Sequence, residues 1–97
     1  MKNARRVLSE SDVTKGQMSV DWNMRDLMPN TDLLGSSIRI IMRIGGEKYE
    51  ALYRYYANRI TRMNRIYLDN GVRPGDLIEL SYLKPGEYMV KFIRHPA

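Results

Sequence analysis

The sequence predicts an all-β, barrel-like domain closed by two short helices, and three observations carry that expectation. Apolar residues recur at period two in four separate runs, Gly- or Pro-bearing turns join those runs in pairs, and the helical spacings are too short to stand alone. From Ser37 to Ile44, Ile38, Ile40, Met42 and Ile44 alternate with Ser37, Arg39, Ile41 and Arg43, which reads as a strand with one buried face. Gly45-Gly46 supplies a hairpin turn, since glycine reaches positive φ without a Cβ clash. Lys48 to Tyr55 returns as the partner strand, with Tyr49, Ala51, Tyr53 and Tyr55 on the core face and the basic side chains of both strands on the other. A second hairpin follows, Leu77 to Tyr82 and Tyr88 to Arg94 around Lys84-Pro85-Gly86.

Two segments carry helical spacing. Trp22 to Met28 has Met24, Leu27 and Met28 at i, i+3 and i+4 and stops at Pro29. Met63, Ile66 and Tyr67 repeat the pattern and end at Asn70-Gly71, a left-handed cap. Upstream, the expectation is a strand around Arg5 to Leu8, a polar loop from Ser9 to Gln17, and a second strand near Met18 to Trp22. With around seven strands and two helical lids, residues 1–97 read as one domain, since a chain of 97 residues with 43% hydrophobic content supports a single core. No internal repeat or low-complexity linker interrupts it.

Charge is distributed unevenly. Residues 1–37 hold five basic and five acidic groups, and residues 66–97 hold four of each. Residues 38–65 hold Arg39, Arg43, Lys48, Arg54, Arg59, Arg62 and Arg65 against Glu47 and Glu50, which accounts for the whole formal charge of +5. Six of the seven bases are arginine, whose planar fork matches phosphate oxygens and guanine edges. A concentration of this kind is either the footprint of a nucleic-acid binder or an ordinary solvated face.

Composition points away from other classes. The chain has no cysteine, so no disulfide or thiolate metal site is expected. No apolar run approaches the roughly 18 residues of a membrane span, and no apolar segment follows Lys2, Arg5 and Arg6. The expectation is a soluble intracellular protein, in cytoplasm, nucleoid or nucleus, with no membrane and no small-molecule substrate as partner. His95 is the only histidine and lies in a charged tail, Asp21, Asp26 and Asp32 do not fall at the spacing of paired carboxylates, and Asp76 belongs to a turn. Gly45-Gly46 leads from strand to strand and makes no phosphate loop. Neither catalysis nor a metal or other cofactor is expected.

Two motifs and the hairpin between them fall in the order of a known family. Ser11-Asp12-Val13-Thr14-Lys15, running on to Met28-Pro29, resembles the opening of B3 DNA-binding domains, with their Ser-Asp-Val-x-Lys, strand, short helix and Phe-Pro or similar stop. Arg59-Ile60-Thr61-Arg62 through Gly71-Val72-Arg73-Pro74-Gly75-Asp76 is similar to the second signature, a Leu-Thr pair, a short helix and a Gly-Asp turn before a strand. The likeness runs from about Ala4 to Ile93. It implies a seven-stranded open pseudobarrel with two helices, as in plant transcription factors and the effector domains of some restriction endonucleases. Such a domain grips the major groove of double-stranded DNA between two arms, here Ser11 to Gln17 and Arg54 to Arg59. Met18 and Ser19 depart from the family pattern, the second arm is about two residues shorter, and Met63-Asn64 replaces a frequent Gly-Trp. Base preference is therefore not inherited.

On that reading Lys15, Arg59 and Arg62 are the expected phosphate contacts. Arg54, Asn58 and Gln17 are the candidates for base edges, because arginine forks onto guanine and an amide pairs with adenine. Tyr56 is the exposed tyrosine, free to stack or to pack on sugars, whereas Tyr55 and Trp22 are expected in the core. Met24, Met28, Met42 and Met63 are core filler by spacing. The expected protein is a monomer and a transcription regulator or recognition module. Two rival readings stand beside it. One is a dimeric swapped-hairpin regulator of the transition-state-regulator or antitoxin type, suggested by Ile60 to Leu80. The other is a module that meets an acidic protein through exposed tyrosines and arginines.

Overall fold

Strand pairing organises the chain, and each pairing follows from the alternation just described. The computed structural model describes residues 2–29 and 37–95. Its strands are β1 (Asn3–Val7), β2 (Met18–Ser19), β3 (Ser37–Ile44), β4 (Glu47–Arg54), β5 (Arg59–Thr61), β6 (Leu77–Lys84) and β7 (Glu87–Ile93). They form one curled seven-stranded sheet in the order β1-β6-β7-β3-β4-β5-β2. The neighbours are antiparallel except β3 and β7, which run parallel from Ile41 opposite Glu87 to Arg43 opposite Met89. The first and last strands in this order are not paired with each other, so the barrel stays open.

The β3–β4 register pairs Ile44 with Glu47, leaving Gly45 and Gly46 as a two-residue loop at φ 54° and 90°. Two successive positive φ values define the hairpin turn whose twist matches the flanking strands, and glycine reaches both without strain. Inside the curl lie Ile40, Met42, Ala51, Tyr53, Ile60, Ile78, Leu80, Tyr88 and Val90. Met24, Leu27 and Met28 close one side, and Met63, Ile66 and Tyr67 close another. All four methionines assigned to the core are buried, and Met18 joins them. Tyr88 fixes the first lid by donating its hydroxyl to the Leu27 carbonyl at 2.6 Å.

Three elements differ from expectation. The segment Ser9 to Gln17, expected as a polar loop, contains helix α1 (Glu10–Lys15). Its only apolar member is Val13, so it has no hydrophobic period; it is specified by its ends. Ser9 accepts from the Asp12 amide while Asp12 accepts from the Ser9 amide, a reciprocal capping box. At the other end Gly16 at φ 63° closes the helix, with its N–H to Val13 and that of Gln17 to Asp12. Helix α2 (Trp22–Arg25) is shorter than Trp22 to Met28, and α3 (Asn64–Asp69) matches closely. Among the described residues there are thus three short helices and a 3₁₀ turn, Tyr55–Ala57, where one more strand residue was expected.

Trp22, expected as a core anchor, is 77% exposed. It stands two residues before the buried Met24, about 200° around a helix of 3.6 residues per turn, and so points away from the core. Tyr55 lies half in the core: its ring meets Tyr53 edge-on at 6.3 Å, and the Arg25 guanidinium sits 5.0 Å above it. The swapped-hairpin rival does not describe this chain. Here β5 pairs with β4 and β2, and β6 with β1 and β7, all within one sheet of one chain.

Candidate nucleic-acid interface

The two expected arms meet at one end of the sheet because β2 and β4 both pair with β5. Register places Ser19 opposite Arg59 and Arg59 opposite Arg54, so the three residues cross three adjacent strands in a row. Residues directly opposite one another in an antiparallel pair share a face, and here that face is the outer one, with Arg54 and Arg59 exposed. The second arm continues from β4 through the 3₁₀ turn, where Tyr56 is 70% exposed. It returns at Asn58, whose φ of 51° is a left-handed conformation that asparagine tolerates better than most residues.

The first arm leaves α1 at Gly16-Gln17 and is tied at its root to the link between β5 and α3. The Met63 amide donates to the Gly16 carbonyl at 2.8 Å, and the Tyr67 hydroxyl donates to the Gln17 carbonyl at 2.8 Å. Burial pushes the Tyr67 hydroxyl far above its usual value, so it stays a donor. Further along, the Val20 amide donates to the Asn58 carbonyl at 2.8 Å, joining the first arm's exit to the second arm's return. Lys15 is exposed at the last turn of α1 and Gln17 is half-buried beside it. Arg62 is exposed between β5 and α3 at φ 64°, a left-handed position for a non-glycine residue. Such a conformation costs on the order of 1–2 kcal/mol and is held there by its neighbours.

Ion pairing sorts the basic segment. Arg39 is paired with Glu50 at 2.7 Å, Arg43 with Glu87, and Arg65 with Asp69 at 3.2 Å. Lys48 faces Arg43 near the Gly-Gly turn, six positions and therefore about 20 Å along β4 from Arg54. Among the described residues, Lys15, Arg54, Arg59 and Arg62 take part in no ion pair. Among the described residues, the uneven charge of 38–65 thus divides into the ion-paired Arg39, Arg43 and Arg65 and the unpaired Lys48, Arg54, Arg59 and Arg62. The seven predicted residues, Lys15, Gln17, Arg54, Tyr56, Asn58, Arg59 and Arg62, fall on the arms or at their roots.

Arg25 and Trp22 of α2 were not among the predicted residues; the Arg25 guanidinium lies over Tyr55 at the start of the second arm, and Trp22 is exposed on the same short helix. The signal for Trp22 was its helical phase, set against Met24. Asp21, just before it, caps α2 by accepting from the Met24 amide at 3.1 Å. Among the described residues no group of three or more His or acidic side chains is placed to hold a metal, and no helix is long and apolar enough to cross a membrane. Asp32, weighed above as a carboxylate, lies outside the described residues.

Gly16 is the tightest point of this construction. A Cβ built there would lie 1.9 Å from the Asn64 Oδ1, in addition to the strain of φ 63°. Gly16→Ala is expected to cost about 1–2 kcal/mol from the left-handed conformation, plus the displacement of Asn64. Urea denaturation of Gly16→Ala with and without Asn64→Ala separates the two contributions. A smaller cost in the Asn64→Ala background is the expected result, and equal costs would show that the contact carries no energy.

The fold is a B3 pseudobarrel. The chain superposes on the Arabidopsis FUS3–DNA complex with a TM-score of 0.81, covering 96% of this chain and 97% of that one at 19% identity. No protein-family model matches the sequence, and no curated protein matches it. At this identity the likeness is one of fold.

Proposed function

We propose that residues 1–97 act as one monomeric unit that binds double-stranded DNA, setting its two arms into the major groove. The observation that carries this reading is the Arg54–Arg59 pair. Two like charges stand directly opposite each other on neighbouring strands, with no acid paired to either among the described residues. Like charges so placed destabilise a sheet, so an anionic ligand is the natural source of compensation. A fold shared with a protein solved as a DNA complex supports the same conclusion.

Lys15, Arg59 and Arg62 serve phosphates, fixing register and affinity. Arg54, Asn58 and Gln17 serve base edges, and Tyr56 packs on the sugars beside them. The biological role is transcription regulation or a recognition module of the kind joined to restriction nucleases. No chemistry is assigned to the chain, and neither a cofactor nor a small-molecule substrate. An acidic protein partner is the weaker reading, because the opposed Arg54–Arg59 pair stands on an arm of a fold shared with a protein solved as a DNA complex.

Anisotropy of labelled random duplexes in a salt series tests the proposal. Three phosphate contacts give a slope of log K against log salt of about −2.7, and a flat line refutes the phosphate assignment. Selection of bound duplexes from a random pool then shows whether sequence is read.

A further inference from the structure

Trp22 lies outside the core cluster of the described residues, and at 77% exposure it leaves an indole in water. Tryptophan is highly buried on average, so an exposed one next to a charged site calls for an explanation. Its position supplies one. Register pairs Met18 with Ile60 and Ser19 with Arg59, and the Val20–Asn58 hydrogen bond carries the same alignment one residue further. Trp22 and Arg25 stand at i and i+3 on one face of α2, and the Arg25 guanidinium lies 5.0 Å over Tyr55, the neighbour in sequence of Tyr56, the other large exposed aromatic of this end. The short helix α2 that presents Trp22 is held to the arm by the Arg25 guanidinium over Tyr55. Two exposed rings, Trp22 on α2 and Tyr56 on the 3₁₀ turn, therefore belong to elements that adjoin the strands carrying Arg54 and Arg59.

The chemistry of the site limits what the indole can meet. The neighbouring Asp21 carboxylate is unfavourable to phosphate, and its acceptor is already turned to the Met24 amide. An apolar ring face beside a basic groove matches the deoxyribose units of a backbone whose phosphates are held by the arginines. We infer that Trp22, together with Tyr56, packs on the deoxyribose backbone of bound duplex DNA next to the second arm, a non-ionic contact added to the arginine contacts. This rests on the duplex-binding reading above.

As the only tryptophan in the chain, Trp22 reports on itself. The test follows duplex binding by anisotropy of a labelled oligonucleotide and, in the same titration, tryptophan emission and its accessibility to acrylamide. Expected are a shifted emission and reduced acrylamide quenching on saturation. Trp22→Ala is expected to weaken duplex binding by about tenfold with an unchanged salt slope, because the lost contact is uncharged, and Trp22→Phe to recover part of it. The melting temperature of Trp22→Ala stays that of the parent, since an exposed ring contributes little to the core. Duplex binding with unaltered emission, or an unaffected Trp22→Ala variant, overturns the inference and leaves duplex binding standing. A Trp22→Ala loss confined to single strands overturns it too. No anisotropy change with any duplex at low salt removes the duplex reading and this inference together.

Discussion

Arg54→Gln and Arg59→Gln leave the domain at least as stable as the parent while weakening its hold on DNA. The expectation follows from the register that sets the two guanidinium groups opposite each other on β4 and β5, with no acid paired to them among the described residues. Opposed like charges on a sheet cost a few tenths of a kcal/mol to about 1 kcal/mol, and removing either member relieves that cost. For a domain of this size the gain is a rise in Tm of a few degrees at low salt, fading as salt screens the pair. Binding moves in the opposite direction. Loss of Arg59 should reduce affinity for all duplexes alike and flatten the salt slope by about 0.9. Loss of Arg54 should cost about 1–3 kcal/mol on the preferred site and relax preference at one base pair. Calorimetry and anisotropy on the same samples check both halves. A fall in Tm for both variants would show that the arginines serve the fold, and unchanged affinity would remove them from the interface.

Most of the sheet was legible because it is written in alternation. The β3–β4 and β6–β7 hairpins fall within a residue or two of expectation, since period-two burial and Gly-bearing turns are local signals. Helix α1 was not legible by period, because its one apolar residue gives no stripe; its caps alone announce it. A Ser followed three residues later by an acid, then Lys and Gly, was sufficient information read by another rule. The topology lay further from reach. That β3 runs parallel to β7 and that β2 crosses to β5 are non-local facts, and no stretch of sequence encodes a neighbour forty residues away.

The basic end shows a similar division. Charge counting gave equal weight to seven residues, three of which are neutralised by Glu50, Glu87 and Asp69 once the strands and helix are in place. The arm residues were separated from these by their likeness to a family, and among the described residues the ion pairs leave Arg54, Arg59 and Arg62 unpaired together with Lys48. Trp22 illustrates the opposite failure. Its side chain was assigned by residue type, whereas its helical phase against Met24, Leu27 and Met28 already placed it outside.

The largest loss of stability is expected away from the arms, at Asp76. Its carboxylate is 2% exposed and accepts from the Arg73 amide at 2.9 Å and from the His95 amide at 3.0 Å, closing the turn before β6 and holding the end of the chain after β7. Asp76→Ala leaves both donors without a partner, at about 3 kcal/mol, which lowers Tm by roughly 12–24 °C in a domain of this length. Asp76→Asn keeps one carbonyl oxygen and is expected to lose about half as much. The same bonds, His95 first and Arg73 second, hold the carboxyl below its ordinary value of 3.8. A depressed folded pKa means that the unfolded chain binds the proton more readily. This contribution is therefore complete above about pH 5 and disappears as pH falls through the folded value. At Asp12 burial pushes the other way, but the Ser9 amide and Arg6 outweigh it, so the two carboxyls act in the same window. Urea unfolding between pH 3 and pH 6 should show stability falling on the acid side in the parent and a shallower fall in Asp76→Ala; parallel curves would show that Asp76 is not linked to folding. The consequence reaches the first arm through main chain. The Asp76 carbonyl accepts from Leu8 at 2.8 Å and the Gly75 amide donates to Leu8 at 2.8 Å, one residue before the Ser9 cap of α1. Loosening the turn therefore loosens the base of the helix that presents Lys15. Asp76→Ala should bind duplex normally well below its lowered Tm and lose binding several degrees before global unfolding, where the parent does not.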